Sequence, residues 1–283
     1  MKRDIDQKLL DWKLDSGRRV LLVRGARQVG KTYSVRELGR TFAHYLEVNF
    51  EEHPDVRLFF RDSPDPIRLR EKLAAYYSTP IVPGETLLFL DEIQSCPEAF
   101  RSLRFFYEKM PDLHVVAAGS LLELAVAEIP SFGVGRLTSL HMYPLTFREY
   151  LAAMGEEALS HIVDGADPDH PLDEPFHRRL VEHVKGYQLV GGMPAVVNAY
   201  AQKRDLAACF RIQDDFAKYK KRAPVARLAE VFRSVVLQTS WNSTVPDAAR
   251  ARWIELARKT RRSQVNGWLR VRPGRVPAAV DLV

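Results

Sequence analysis

Over its first half the chain alternates short apolar runs with amphipathic stretches. Arg19-Val20-Leu21-Leu22-Val23-Arg24, Thr86-Leu87-Leu88-Phe89-Leu90 and His114-Val115-Val116-Ala117-Ala118-Gly119 are continuous apolar runs, the pattern of buried strands. His44 to Asn49 alternates as a further strand, and Leu137 to Tyr143 reads as a fifth. Between them, helical spacing predicts a helix from Gly30 through Val35, Leu38 and Phe42, and another over Pro97 to Met110 with Leu103, Phe106 and Tyr107 inward. Asp65 to Tyr77 reads as a helix begun by Asp65-Pro66, and Ile5 to Leu14 as a short amphipathic helix with Trp12 on its apolar side. Strands alternating with helices imply right-handed crossovers and a parallel sheet.

After Pro144 the pattern changes to helices alone: Phe147 to Met154, Pro175 to Leu189, Ala195 to Ala201, Leu206 to Lys221 and Ala226 to Leu237, with Ala248 to Lys259 still able to form one. A polar, Pro- and Asp-containing stretch from Gly165 to Pro175 marks the shift. The expected organisation is a sheet-bearing core over 1–165, a helical region over 166–238 and a basic tail over 239–283.

Composition adds little to this picture until charge is located. The net charge is +6, yet Ala248 to Arg275 alone holds nine basic residues and one acid, Glu255, so the remainder of the chain is slightly acidic. A basic tail could hold nucleic acid or another polyanion, but a solvated or disordered end is the better expectation. No apolar run approaches a membrane-spanning length. Met1-Lys2-Arg3-Asp4-Ile5-Asp6 has no apolar stretch behind its charges, and Cys96 and Cys209 are expected to be reduced thiols. The expected setting is cytoplasmic, with no membrane partner.

Candidate chemistry concentrates at two strand ends. Gly25-Ala26-Arg27-Gln28-Val29-Gly30-Lys31-Thr32 follows a strand and opens a helix, the context a phosphate-binding loop requires. Gly25 and Gly30 let the backbone wrap so that N–H groups point at phosphate oxygens, and the helix N-terminus aims its partial positive charge there too. Lys31 supplies an ammonium for the β- and γ-phosphates of ATP, and Thr32 a hydroxyl for Mg²⁺. A chance match in a chain this long has a probability of about one in a hundred. The second strand end is Leu87-Leu88-Phe89-Leu90-Asp91-Glu92. A carboxylate there faces the crevice where ligands of parallel sheets bind, so Asp91 is a candidate Mg²⁺ ligand and Glu92 a candidate general base. Ser120 follows the strand ending at Gly119, where a γ-phosphate sensor or a helix N-cap for Leu121 to Ala127 would stand. Arg136 reads equally as an arginine finger or a surface arginine. His161, His170, His177 and His183 lack metal-ligand spacing, and no metal beyond Mg²⁺ is expected.

Taken together, Trp12, Arg24-Gly25-Ala26-Arg27-Gln28-Val29-Gly30-Lys31-Thr32, Leu90-Asp91-Glu92-Ile93-Gln94, Ala118-Gly119-Ser120-Leu121-Leu122, Gly135-Arg136, Tyr143-Pro144-Leu145-Thr146-Phe147 and Gly191-Gly192-Met193-Pro194 resemble the prokaryotic AAA-like ATPases that carry a DUF4143 domain at their C-terminus. The resemblance covers roughly residues 1 to 235. It implies an α/β P-loop NTPase fold of AAA type, a parallel sheet with flanking helices followed by a helical lid. It places Lys31, Thr32, Asp91 and Glu92 in the nucleotide site, with Ser120 as sensor and Arg136 as finger. It also implies a longer C-terminal domain than a chain ending at Val283 holds, and Arg261 to Val283 reads as a truncation or a shifted frame.

The reading these residues favour is an Mg²⁺-dependent ATPase, with ATP as its partner and assembly of copies left open by the finger. The rivals are a nucleotide-gated, non-hydrolysing module associated with DNA, and a small-molecule kinase on the same loop. The Asp91-Glu92 pair favours water as the nucleophile over a kinase acceptor.

Overall fold

The computed structural model of the chain describes residues 1–120, 135–165 and 172–218. Its helices are α1 (Asp4–Leu14), α2 (Lys31–Gly39), α3 (Arg57–Asp62), α4 (Pro66–Tyr77), α5 (Pro97–Lys109), α6 (Phe147–Ala153), α7 (Glu157–Asp164), α8 (Glu174–Val190), α9 (Pro194–Lys203) and α10 (Leu206–Lys218). Its strands are β1 (Val20–Arg24), β2 (His44–Asn49), β3 (Thr86–Asp91), β4 (His114–Ala118) and β5 (Leu137–His141). They form one sheet in the order β2-β3-β4-β1-β5, and every adjacent pair is parallel.

Alternation along each strand divides the core in two. Leu22, Leu88, Leu90, Val115 and Ala117 face one side, against Phe60 of α3, Leu69 and Leu73 of α4, and Phe100, Leu103 and Phe106 of α5. Leu21, Val23, Leu87, Phe89 and Val116 face the other, against Ile5, Leu9 and Trp12 of α1 and Val35 and Leu38 of α2. With both faces covered, the central strands must be apolar throughout, which is why their sequences read as unbroken runs.

Element ends differ from the sequence expectation where a specific contact decides them. β3 runs to Asp91 because Asp91 pairs with Asn49 of β2, so the first carboxylate belongs to the ladder itself. β5 stops at His141; the chain then leaves the sheet as the Met142 N–H donates to the Arg24 carbonyl at 2.8 Å, and Pro144 has no N–H to extend pairing. The helices α3 and α7 were not expected: each is too short for a legible period, α3 burying only Phe60 and α7 only Leu159 and Ser160. The helices expected over Leu121 to Ala127, Ala226 to Leu237 and Ala248 to Lys259 lie outside the described residues, as does the basic tail.

The helical region closes on its own apolar clusters. Leu145, Tyr150, Val190, Val196, Val197 and Cys209 form one, and Leu151, Leu159 and Leu180 another, so the helices on either side of the Gly165 to Pro175 stretch share cores. A capping box starts α6: the Glu149 N–H donates to Thr146 Oγ1 at 3.2 Å and the Thr146 N–H to Glu149 Oε2 at 2.7 Å. Gly192 meets the chain just before it. A Cβ at Gly192 would stand 2.4 Å from the Leu145 carbonyl oxygen, so backbone packs on backbone there. Both cysteines are buried free thiols; burial pushes Cys96 up to about 11 and raises Cys209 as well.

His114 begins β4, 5% exposed and edge-on to Trp12 and Phe42 at ring-centroid distances of 5.7 and 4.8 Å. Burial pushes its pKa down from 6.5 to about 4, outweighing the hydrogen bond with the Lys13 carbonyl. A folded pKa below the unfolded one means that the stability His114 contributes is whole above pH 6.5 and is lost as pH falls toward 4. Urea midpoints measured across that window should therefore fall, and His114→Gln should flatten the fall. An unaltered slope in the variant would assign the pH dependence to other groups.

Candidate functional site

The site is built on the C-terminal ends of β1, β3 and β4, which parallel pairing brings to one edge of the sheet. After Arg24 the chain turns sharply: Gly25 has φ +142° and Gly30 φ +99°, with Gln28 also left-handed at 66°. Side chains rarely adopt such angles, so the two glycines are what let the loop curl back on the helix it starts. At Gly25 space demands glycine too, because a Cβ would lie 2.1 Å from the Met142 carbonyl oxygen. Val29, fully buried, anchors the loop in the α1–α2 core, and Ala26, Arg27 and Gln28 are exposed.

Lys31 opens α2 and is 7% exposed. Its ammonium donates to the carbonyls of Gly25 and Ala26 at 3.0 and 2.9 Å, which holds the charge inside the curve of the loop. Burial lowers its pKa, while the carboxylates of Glu92 and then Asp91 oppose that shift, and Arg27 adds to it. Thr32 Oγ1 donates to Asp91 Oδ2 at 2.8 Å. Asp91 is 3% exposed; burial raises its pKa, and the bonds from Thr32 and from the Glu92 N–H, at 3.0 Å to Oδ1, counter this. The loop and the tip of β3 therefore meet directly.

Glu92 follows with φ 48° and ψ 43°. For a non-glycine residue this left-handed conformation costs about 1 kcal/mol, a strain that recurs at functional positions. It turns the side chain off the strand axis and toward the loop, where Glu92 is the leading carboxylate acting on Lys31. Gln94 Nε2 donates to Glu92 Oε2, and the side-chain oxygen Oε1 of Gln94 is buried. Gln94 had no assigned role in the sequence, since nothing in its spacing says that it turns back on Glu92.

A cavity of about 320 Å³ flanks the loop on the β4–β1–β5 side, lined by Arg24, Gly25, Ala26, Ser120, His141 and Tyr143 among others. Ser120 thus stands beside the first residues of the loop. Arg136 does not. It precedes Leu137, which pairs with Val20 at the start of β1, whereas the loop leaves the end of β1. Its Nε pairs instead with Glu108 Oε1 of α5 at 2.6 Å. Parallel strands carry the start of β5 to the opposite edge of the sheet, away from the loop of the same chain. Among the described residues no cluster of three His, Cys, Asp or Glu could hold a metal, and no helix is long and apolar enough to cross a membrane.

Fold and site together define the class: an α/β P-loop domain of AAA type. Residues 17–151 match the AAA domain family AAA_14. Residues 181–271 match a domain of unknown function, DUF8612; the DUF4143 domain implied by resemblance is thereby replaced. Among curated proteins none matches the chain. Similar solved structures include the Walker-type ATPase PABY2304 of Pyrococcus abyssi, 16% identical over 91% of this chain and 89% of that one, with a TM-score of 0.46. They also include C. elegans PCH-2, 9% identical over 74% and 65% with a TM-score of 0.42, and AMPPCP-bound DnaA from Aquifex aeolicus, 11% identical over 83% and 65% with a TM-score of 0.39.

The contact at Gly25 yields a direct test. Gly25→Ala forces both a disfavoured φ and a clash with the backbone of Met142, and should cost about 2–4 kcal/mol of stability in urea unfolding. An unchanged midpoint would show that the loop relaxes away from β5 without penalty.

Proposed function

We propose that this chain is an Mg²⁺-dependent ATPase whose phosphate loop and acidic pair act on one triphosphate. The observation that carries the reading is the hydrogen bond from Thr32 to Asp91, which joins the start of α2 to the tip of β3 within reach of Lys31 and Glu92. Lys31 and Asp91 are both buried, and burial disfavours the charged form of each. A polyanion with a divalent cation supplies the counter-charges that such groups lack.

In this reading the loop N–H groups from Gly25 to Thr32 bind the phosphates, and Lys31 exchanges its loop carbonyls for phosphate oxygens. Thr32 and Asp91 would hold Mg²⁺. Their oxygens, 2.8 Å apart, are hard donors of the kind such an ion takes. Held there, the ion would supply charge neutralisation on the phosphate oxygens. Glu92 takes a proton from the attacking water, with Gln94 holding one of its carboxylate oxygens. Ser120, on the cavity wall next to Gly25 and Ala26, is the polar group from β4 available to the γ-phosphate. Arg136 can serve a nucleotide only in a second copy of the chain.

Two variants separate binding from chemistry. Lys31→Ala should weaken ATP binding in titration calorimetry by about tenfold or more. Glu92→Gln should bind ATP like the parent and release phosphate about 10²–10⁴ times more slowly. Equal ATP binding by the parent and Lys31→Ala would remove the phosphate loop from the site; unimpaired turnover by Glu92→Gln would remove the base.

A further inference from the structure

We propose that Arg3 is a positioning residue for the phosphate loop, setting the direction of one loop N–H from the N-terminal segment and tying that setting to the helical region. The inference rests on the nucleotide-binding reading above. Arg3 lies just ahead of α1 and is 7% exposed. Its planar guanidinium reaches three acceptors from three parts of the chain: Nε donates to Glu149 Oε1 of α6 at 2.8 Å, Nη1 to the Val29 carbonyl at 3.0 Å and Nη2 to the Tyr143 carbonyl at 2.8 Å.

The contact with Val29 matters for the loop. The Val29 carbonyl and the Gly30 N–H belong to one peptide group, which is planar and trans, so oxygen and hydrogen point in opposite directions. Holding the oxygen on Arg3 therefore aims the Gly30 N–H the other way, away from Arg3, and in this proposal toward the phosphates. Gly30, at φ +99°, has the freedom to let that plane flip. Arg3 is what fixes it.

The anchor at the far end is rigid. Glu149 is 6% exposed and accepts from Arg3, from the Asp4 N–H at 2.8 Å and from the Thr146 N–H at 2.7 Å. Arg3 and these backbone donors hold its carboxyl below the usual carboxylate range against burial. Arg3 itself is fixed at the backbone, its N–H donating to Asp6 Oδ2 at 2.9 Å and its carbonyl accepting from the Asp6 N–H at 3.0 Å. Because Glu149 belongs to α6, a rotation of the helical region would pull the fork away from Val29 and slacken the loop. A lysine cannot substitute: one nitrogen cannot span three acceptors set around a plane.

The test compares ATP affinity with nucleotide-free stability in the full chain for Arg3→Lys, Glu149→Gln and the pair combined. Glu149→Gln keeps the shape of the side chain and probes the same contact from the other end, should Arg3→Lys fold poorly. The proposal expects each single variant to lose about tenfold in ATP affinity, more than any shift in unfolding midpoint accounts for. The double variant should lose no more than the worse single one, since both act through one fork. Parent-like affinity in both single variants, or losses that add and scale with stability, would overturn it. If the parent chain itself binds no ATP, the functional reading falls and the positioning role with it; a parent that binds beside variants that bind equally well removes Arg3 alone.

Discussion

Everything at the site is placed by the pairing of β1 on both of its edges, with β4 on one side and β5 on the other. That strand is apolar and buried on both faces, so it cannot slide without exposing Leu21 or Leu22. Its end is therefore a fixed point, and the loop that leaves it must begin under the backbone of Met142. Because all strands run the same way, the tips of β3 and β4 come to the same edge, and the acid of one strand reaches the hydroxyl that follows the other's loop.

Much of this was legible in the sequence. The unbroken apolar runs ending at Arg24, Leu90 and Ala118 announced a parallel sheet, and the Gly25 to Thr32 loop carried its own chemistry. The position of Asp91 and Glu92 at a strand tip was readable because an apolar run precedes them. What could not be read was contact between distant segments. The three acceptors of Arg3 are scattered along the chain, and an arginine near a charged N-terminus looks like a solvated one. Glu149 did leave a trace, since Thr146-Phe147-Arg148-Glu149 has capping-box spacing, though nothing in it pointed to a second partner. The place of Arg136 was hidden for the opposite reason: its position near a glycine and a strand is local information, and only strand direction shows which edge of the sheet it occupies.

The electrostatics follow one theme. Lys31, Asp91, Arg3 and Glu149 are all buried, an arrangement that is costly unless each charge is met. Arg3 and Glu149 meet one another and add backbone partners, which makes them a structural joint. Among the described residues, the partners of Lys31 and Asp91 within hydrogen-bonding distance are neutral: a carbonyl pair for one and a hydroxyl with a backbone N–H for the other. The same degree of burial thus leaves one pair satisfied and the other short of the counter-charges that the proposed nucleotide and its cation would bring.

The two buried thiols carry a practical corollary. Cys96 is fully enclosed beneath α5 and Cys209 within the helical cluster, and burial favours the protonated form that does not react with maleimides or other alkylating reagents. A fluorophore attached through a cysteine engineered on an outer helix face would label one place only, in a chain whose native sulfurs need not be removed first. Motion between the sheet and the helices could then be watched by spectroscopy in the otherwise unaltered polypeptide.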